Sequence, residues 1–233
     1  MAETLPILLV PGLVCSPRIY LPQLPALWRV APVMFPNHIR DATMSGIAKR
    51  ILDEAPPRFA LAGHSMGGYI ALEMFRQAPQ RIARLALLNT SARPDAPEMS
   101  ERRRGWNAQS KAGGYHDVLA GLFANFVHPR RTGDAALKKI VMDMGDDVGP
   151  EAFARQNEAS IVRADSRSLL PSIKCPVLVL TSDTDNMVPN KFSHELADAI
   201  PGAKLAVIPD CGHLTQLEKP EAVTQALLDW MRM

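Results

Sequence analysis

Residues Gly63-His-Ser-Met-Gly67 decide how this chain folds, because they place a serine between two glycines in a G-x-S-x-G pattern. The apolar run Phe59-Ala-Leu-Ala62 precedes the pattern, and Gly68-Tyr-Ile-Ala-Leu-Glu-Met74 after it indicates a helix. A strand, an abrupt turn and a helix are the context that exposes a nucleophilic serine. Such a turn forces a strained backbone angle on Ser65 and crowds the residues two positions away. Glycine at 63 and 67 removes the Cβ atoms that would collide.

A serine hydroxyl is a poor nucleophile without a base and a group that orients the base. In chains with this pattern the acid and then the histidine follow later in the sequence. Pro176–Leu180 is an apolar run that predicts a buried parallel strand, and Asp185 lies shortly after it. A second run, Leu205–Ile208, leads into His213. Since the carboxyl ends of parallel strands share one edge of a sheet, we expect both side chains to meet Ser65 there.

With these residues in place, the chain resembles the α/β-hydrolase superfamily over essentially its whole length. In that superfamily the acid commonly lies in an Asp-x-x-Val-Pro segment, which Asp185–Pro189 matches. The histidine commonly follows a glycine and precedes Glu-x-Pro-Glu, as Gly212-His213 and Glu218–Glu221 do here. The resemblance implies a serine hydrolase whose catalytic residues are Ser65, Asp185 and His213.

The resemblance also implies an oxyanion hole built from two backbone N–H groups. The oxyanion loop of the superfamily usually reads His-Gly after the first strand, whereas this chain has Pro11 in place of that histidine. The donor is the N–H of the next residue after the glycine, Leu13, so the replacement leaves it intact. The second donor is the N–H of Met66, directly after the nucleophile.

Two other carboxylates compete with Asp185 for the role of the acid. Asp183 lies two residues earlier, and Asp210 lies close to His213 in sequence. The motif favours Asp185. Some relatives carry the acid one strand earlier, but the corresponding segment here, Leu88–Ser91, has no carboxylate. Serine at position 65 also argues against the alkyl-enzyme chemistry of dehalogenases and epoxide hydrolases, which use an aspartate nucleophile.

The remaining pattern predicts an α/β-hydrolase fold with a mostly parallel sheet of about six strands, lacking the N-terminal hairpin of many relatives. The predicted strands are near residues 5–10, 30–35, 58–62, 85–88, 176–180 and 203–208. The predicted helices between them are near residues 16–27, 43–54, 66–77, 190–200 and 220–231. Residues 1–92 and 171–233 are assigned to the hydrolase core, and residues 93–170 to a helical insertion.

The insertion has helical patterns near residues 115–126, 135–144 and 151–163, and it occupies the position of the superfamily's cap. A cap would lie over the serine, exclude water and shape the acyl pocket. The candidate substrate-binding residues in it are Phe123, Phe126, Met142 and Met144. Apolar residues at helical spacing are also ordinary internal core, so both roles stay open.

The expected activity is hydrolysis of carboxylic esters of short to medium acyl chain through an acyl-enzyme on Ser65. The alternative is a lactonase, a carbon–carbon bond hydrolase or a lyase that acts on a small carboxylate metabolite with the same three residues. Such enzymes typically place an arginine of the cap at the substrate carboxylate, and Arg155, Arg163 and Arg167 are available. A non-enzymatic small-molecule receptor is the third interpretation.

The composition of the chain limits the classes of binding partner and the cellular compartment that we expect. The chain has 233 residues and a net charge of +2, which is too mild to suggest nucleic acid or an anionic membrane as a partner. The partner expected is a small-molecule ester or lactone, with no cofactor and no metal. Cys15, Cys175 and Cys211 lack metal-like spacing and fit a reducing compartment. Leu5–Leu9 is a poor signal peptide, and we predict a cytoplasmic protein.

Overall fold

The computed structural model describes residues 5–233, and its centre is a six-stranded parallel sheet. The strands are β1 (Ile7–Val10), β2 (Val33–Met34), β3 (Phe59–His64), β4 (Ile82–Leu88), β5 (Val177–Ser182) and β6 (Lys204–Ile208). Their order across the sheet is β2-β1-β3-β4-β5-β6, and every neighbouring pair is parallel. The fold is that of an α/β hydrolase, and the predicted six-stranded parallel sheet is confirmed.

The middle strands are mostly apolar because helices cover both faces of the sheet. All residues of β1, β3 and β5 are buried. The edge strand β2 is shorter than predicted, with two residues instead of six. Pro32 and Pro36 flank it, and a proline has no N–H to donate to a neighbouring strand.

The helices of the core alternate with the strands. Helices are numbered in chain order, and α4 to α7 belong to the insertion. The helices of the core are α1 (Leu24–Trp28), α2 (Met44–Glu54), α3 (Met66–Gln77), α8 (Lys191–Ala199), α9 (Thr215–Glu218) and α10 (Pro220–Met231). The single helix predicted over residues 16–27 is wrong. That stretch forms a 3-10 turn at Pro17–Tyr20 and the short α1 instead. Pro22 lies between the two pieces and interrupts the helical hydrogen bonds.

Four helices lie between β4 and β5. They are α4 (Pro97–Gln109), α5 (Tyr115–Phe126), α6 (Ala135–Val148) and α7 (Pro150–Ile161). The last three match the predicted stretches closely. The first was not predicted, because its sequence is polar on all sides and shows no apolar stripe. A π-helical turn at Ser110–Gly114 joins α4 to α5. Gly113 in this turn has a φ of 95°.

The topology places the loop after β1 next to the loop after β3. The chain leaves β1, forms β2 on one side, and then returns to form β3 on the other side of β1. Ligands of open α/β sheets bind at such a reversal of strand order, outside the carboxyl ends of the strands. Val10, the last residue of β1, is paired with Gly63 of β3, so the loop after β1 lies beside Ser65. In residues 5–233 no helix is both long enough and apolar enough to span a bilayer.

Candidate active site

Ser65 lies in the strained turn between β3 and α3. Its φ of 54° and ψ of −116° are unusual for a residue with a side chain. A Cβ at position 63 would come within 2.2 Å of the carbonyl oxygen of Gly67. A Cβ at position 67 would come within 2.2 Å of the carbonyl oxygen of Val10. Both glycines are therefore required by close backbone contacts, as the G-x-S-x-G pattern predicted.

One hydrogen bond to β4 and one from a residue just after it hold this turn in place. The Ser65 amide donates to the carbonyl of Leu88 over 2.9 Å. The hydroxyl of Thr90, just beyond the end of β4, donates to the Ser65 carbonyl over 2.7 Å. The side chain of Thr90 also packs where a Cβ on Gly68 would lie, at 2.4 Å. The strained conformation of Ser65 is thus determined by its surroundings.

Asp185 and His213 form a buried hydrogen-bonded pair. The Nδ1 of His213 lies 2.7 Å from Oδ2 of Asp185, and both side chains are almost fully shielded from solvent. The other oxygen, Oδ1, accepts the amides of Met187 and Val188, each over 2.8 Å. Burial raises the pKa of Asp185, but the charge and hydrogen bond of His213 and the bond from Val188 more than offset this. The pKa of Asp185 is therefore lowered, and the carboxylate stays ionised.

Catalysis by these residues also needs a contact between the Ser65 hydroxyl and the His213 imidazole. No hydrogen bond joins the Ser65 hydroxyl to His213 among the described residues, but both side chains line one cavity. In unliganded sites of this kind the contact is often long and shortens when substrate binds. The cavity therefore contains a hydroxyl and an imidazole, with the carboxylate behind the imidazole.

The two rival acids have other partners. Asp183 accepts the amides of Asp210 and Cys211, and it shapes the loop before His213. Asp210 is half exposed and pairs with Arg130 over 3.0 Å. Of these carboxylates, Asp185 is the one hydrogen-bonded to His213 within the described chain.

The loop that carries His213 is attached to the helical insertion. The amides of His213 and Leu214 both donate to the carbonyl of Phe126, over 2.8 and 3.1 Å. The Phe126 ring also stacks against the imidazole, with centroids 5.8 Å apart. Glu218, the first acid of the Glu-x-Pro-Glu motif, accepts the amides of Gly212 and His128 over 3.0 and 2.8 Å. These bonds hold the histidine loop against the end of α5.

His64 supports the histidine loop from the other side. Its Nε2 donates to the carbonyl of His213 over 3.0 Å, which leaves Nδ1 unprotonated. Burial, and then the charge of His213, lower the pKa of His64 to about 3. His64 is therefore neutral at physiological pH, and it contacts both the backbone of His213 and its ring, with the ring centroids 4.8 Å apart.

The amides of Leu13 and Met66 have the environment that an oxyanion hole requires. Both residues line the cavity. Within the described chain neither amide donates to another backbone group, since Met66 begins α3 and Leu13 lies in the loop after β1. Two unpaired N–H groups beside the nucleophile can receive a developing negative charge.

The cavity has a volume of about 1090 Å³ and opens between the sheet edge and the insertion. Of the four candidate substrate-binding residues, Phe126 lines it. Phe123, Met142 and Met144 do not, and for them the prediction is wrong. Phe123 and Met144 are buried in the apolar core between the helices, and Met142 packs against that core. The apolar wall comes instead from Tyr69, Met99, Met187, Val188 and Phe192, most of which follow strands or begin helices.

One wall of the cavity contains a buried group of charges. Asp95 is paired with both Arg103, over 2.6 Å, and Arg163, and all three side chains are at least nine-tenths buried. The Arg163 guanidinium lies 4.0 Å from the ring centroid of Tyr69. Two guanidinium groups share one carboxylate, so this wall carries one excess positive charge. Arg155, in contrast, donates to the carbonyl of Ile39 and is not part of the cavity lining.

Asn89 is a site residue that the sequence analysis missed. It follows β4 with φ of 46° and is fully buried. Its Nδ2 donates over 3.0 Å to Oδ2 of Asp185, the same oxygen that bonds His213. Its Oδ1 accepts the hydroxyl of Thr215 over 2.9 Å. Its position directly after a strand of the same edge was the available signal, but Asn89 carries no carboxylate and so did not fit the role of the acid.

Among residues 5–233, no group of three or more histidine, cysteine, aspartate or glutamate side chains is arranged to hold a metal ion. The three cysteines are free thiols. Burial raises the pKa of Cys15, which lines the cavity, to about 12, and it also raises the pKa of Cys211. These thiols are therefore protonated at physiological pH and poorly nucleophilic.

Comparison with known proteins gives the same architecture. Residues 30–220 match the model of a family described as alpha/beta hydrolase fold. A pimeloyl-[acyl-carrier protein] methyl ester esterase of Aromatoleum aromaticum is 28% identical, with 91% of this chain and 90% of that protein aligned. A thermophilic esterase from Thermogutta terrifontis, solved with malate bound, is 30% identical and superposes with a TM-score of 0.88 over 98% of this chain and 89% of that one. The enol-lactonase from Burkholderia xenovorans LB400 has the same TM-score of 0.88 at 24% identity, over 100% and 93% of the two chains.

Proposed function

Because the chain belongs to the alpha/beta hydrolase family and is a hydrolase of that family, we propose that it cleaves carboxylic esters through an acyl-enzyme on Ser65. One observation carries the proposal. Asp185 and His213 form a buried hydrogen-bonded pair, and His213 lines the same cavity as Ser65. The esterases of Aromatoleum aromaticum and Thermogutta terrifontis support the choice of an ester as substrate.

The proposed reaction uses each group according to its position. His213 takes the proton of Ser65 as the hydroxyl oxygen attacks the acyl carbon. Asp185 keeps the proton of the imidazole on Nδ1 and stabilises the imidazolium that forms. The amides of Leu13 and Met66 receive the oxyanion, each donor contributing about 3 kcal/mol to the transition state. The alcohol leaves with a proton from His213, and a water molecule then repeats the sequence to release the acid.

We also propose that the insertion, residues 93–170, acts as the cap of the site. Met99, Arg103, Phe126 and Arg163 of this segment all contribute to the cavity wall. A cap in this position limits the access of water and sets the length of the acyl chain that fits. Short to medium acyl chains are the expected substrates.

A series of p-nitrophenyl esters of increasing chain length tests this function. We expect turnover with short to medium chains and its loss in Ser65→Ala, with the thermal unfolding temperature retained. A fluorophosphonate should label the wild type and not Ser65→Ala. Ser193→Ala, which removes a buried serine of α8 outside the cavity lining, is the matched control and should label normally. Full ester turnover by Ser65→Ala would overturn the proposal.

A second candidate is hydrolysis of a lactone, or carbon–carbon cleavage or a lyase reaction, on a small metabolite that carries a carboxylate. The excess positive charge of the Asp95–Arg103–Arg163 group in the cavity wall favours it. The Nε and Nη1 of Arg163 already donate to neighbouring groups, but its Nη2 has no partner among the described residues and can donate to a substrate carboxylate. A panel of lactones and dicarbonyl acids, compared with neutral esters, separates the two candidates. For the second, Arg163→Met should raise KM for the anionic substrates and leave neutral esters little changed.

A further inference from the structure

The chain segment that carries His213 reaches the acid a second time, through the side chain of Thr215. Thr215 lies two residues after His213, and its Oγ1 lies 2.9 Å from Oδ1 of Asn89. The Nδ2 of the same Asn89 lies 3.0 Å from Oδ2 of Asp185, the oxygen that bonds His213 over 2.7 Å. The four residues therefore close a ring, which runs through three hydrogen bonds and returns along the backbone from Thr215 to His213.

The ionised carboxylate sets the direction of the hydrogen bonds in this ring. Asp185 can only accept, so the Asn89 amide must turn its nitrogen towards it. The amide oxygen then faces Thr215 and, among the described residues, has the Thr215 hydroxyl as its one donor. The hydroxyl has a single proton and therefore donates it to Asn89. Each hydrogen bond of the ring is thus donated in the direction of the carboxylate.

Gln216 is the second polar neighbour of this hydroxyl. Its Oε1 lies 3.1 Å from Oγ1 of Thr215, and its Nε2 has no hydrogen-bond partner in the described part of the chain. The oxygen and nitrogen of an amide group are similar in size, so the side chain can exchange their places. In the exchanged orientation the nitrogen donates to Thr215, and the hydroxyl proton is left for Asn89. Hydrogen bonds in such a chain polarise one another, which strengthens the last bond, to Asp185.

We propose that Thr215 is a positioning residue for the acid, which acts through Asn89 to hold Asp185 against His213. This inference rests on the proposed function, since it assigns Thr215 to the support of the proposed acid–base pair. All four side chains are less than a tenth exposed, so water does not readily replace a lost partner. The carboxylate is tied to the segment of His213 by two routes, one direct and one relayed through Asn89.

Two substitutions at position 215 separate the hydroxyl from the packing. Thr215→Val keeps the shape of the side chain and removes the hydroxyl, whereas Thr215→Ser keeps the hydroxyl. We expect the Val variant to lose about 3- to 10-fold in kcat on p-nitrophenyl esters with little change in KM, because a displaced acid acts mainly in the transition state. The Ser variant should keep most of the wild-type kcat. Wild-type kcat in the Val variant, or equal losses in both variants, would overturn the proposal.

Thr224→Val is the matched control. The Thr224 hydroxyl donates to the carbonyl of Pro220 over 2.7 Å within α10, and Thr224 is not part of the cavity lining. This variant should keep both kcat and KM. A fall in kcat like that of Thr215→Val would show that the loss of another threonine hydroxyl has the same effect, and would overturn the proposal.

A double-mutant cycle tests whether Thr215 acts through Asn89. Asn89→Gly removes the amide that relays the contact to Asp185. Thr215→Val should therefore cause no further loss of kcat in the Asn89→Gly background. Independent, multiplicative losses would contradict the proposed role of Thr215.

The imidazole proton gives a readout that does not depend on turnover. A proton held between an imidazole and a carboxylate resonates far downfield in proton NMR, and its absence in His213→Gln assigns it to Nδ1. Thr215→Val should move this resonance and Thr224→Val should not. A lowered kcat with an unmoved resonance, or an active wild type whose Thr215→Val variant changes neither, would overturn this inference alone. A wild type that neither hydrolyses esters nor reacts with a fluorophosphonate, but whose resonance moves in Thr215→Val, would overturn the proposed function alone.

Discussion

Asn89 donates a hydrogen bond of 3.0 Å to Asp185, from the end of β4 to the loop that follows β5. The acceptor is the same carboxylate oxygen that bonds the imidazole of His213. With the two backbone amides on the other oxygen, the buried carboxylate receives four hydrogen bonds. Since a buried ionised carboxylate is costly without such donors, Asn89 helps to keep Asp185 charged and correctly oriented.

Asn89→Ala and Asn89→Gly should both lower kcat for ester hydrolysis by about 10-fold, because Asp185 loses a charge-assisted hydrogen bond that fixes its geometry. The two variants differ in the backbone. Asn89 has φ of 46°, which glycine adopts freely and alanine does not. We therefore expect Asn89→Ala to be less stable than Asn89→Gly at equal activity, as measured by steady-state kinetics and chemical unfolding. If the Gly variant regained full kcat, the activity loss would come from the backbone and not from the amide.

Gly67→Ala should destabilise the fold by about 3 kcal/mol, because the added Cβ collides with backbone atoms that cannot rotate away. The nearest is the carbonyl oxygen of Val10, at 2.2 Å. Gly105 is the matched control. It lies exposed in α4 with no atom within 4 Å of an added Cβ, and Gly105→Ala should stabilise the protein by about 0.5–1 kcal/mol. Urea unfolding measures both, and a stable, active Gly67→Ala would contradict the close-contact argument.

Asp95→Ala should cost about 3–5 kcal/mol, because it leaves two buried guanidinium groups without their carboxylate. Arg103 and Arg163 are each less than a tenth exposed. Asp53→Ala removes an ion pair with Lys49 on the surface, where both side chains are more than half exposed, and should leave stability unchanged within error. Equal effects of the two substitutions in chemical unfolding would show that the buried group does not depend on charge pairing.

Acidification should destabilise the protein as the pH falls from about 6.5 towards 4, because two buried histidines resist protonation. Burial lowers the pKa of His38 to about 4 and that of His64 to about 3, whereas both take up a proton near pH 6.5 when unfolded. The unfolded state binds more protons in this window, so stability rises with pH through it and is complete above about 6.5. His38→Gln should reduce the slope by up to about 1.4 kcal/mol per pH unit. An unchanged slope in urea unfolding would contradict this.

The sheet and the three residues at its edge were predictable because each depends on local sequence. An apolar run followed by a motif identifies a strand and the loop after it. Parallel strands bring such loops together at the carboxyl edge of the sheet. Ser65, Asp185 and His213 could all be read in this way. Helix α4 could not be predicted in this way, because a polar helix has no periodic apolar stripe. Pro97 and Glu98 in its first turn were the available signals.

The contacts that complete the site join residues far apart in sequence, and no local pattern reports them. Thr215 reaches Asn89 across 126 positions, and Asn89 reaches Asp185 across 96. For a related reason, the apolar pattern of the insertion did not predict which of its residues line the cavity. Periodicity shows that Phe123 and Met144 face away from water, but the cavity and the core between helices are both apolar, and only their packing tells them apart.

The bonds from His213 and Leu214 to Phe126 end on a main-chain carbonyl, which every amino acid supplies. For these two hydrogen bonds the route of the polypeptide matters and the identity of the residue does not, whereas the stacking on the imidazole requires an aromatic ring at 126. Chimeras that exchange the segment between β4 and β5 with that of another hydrolase can therefore keep the histidine in place, provided that the grafted chain passes the same point with its carbonyl turned towards the imidazole loop. If the insertion is the cap that we propose, such an exchange changes substrate preference and leaves the Asp185–His213 pair undisturbed.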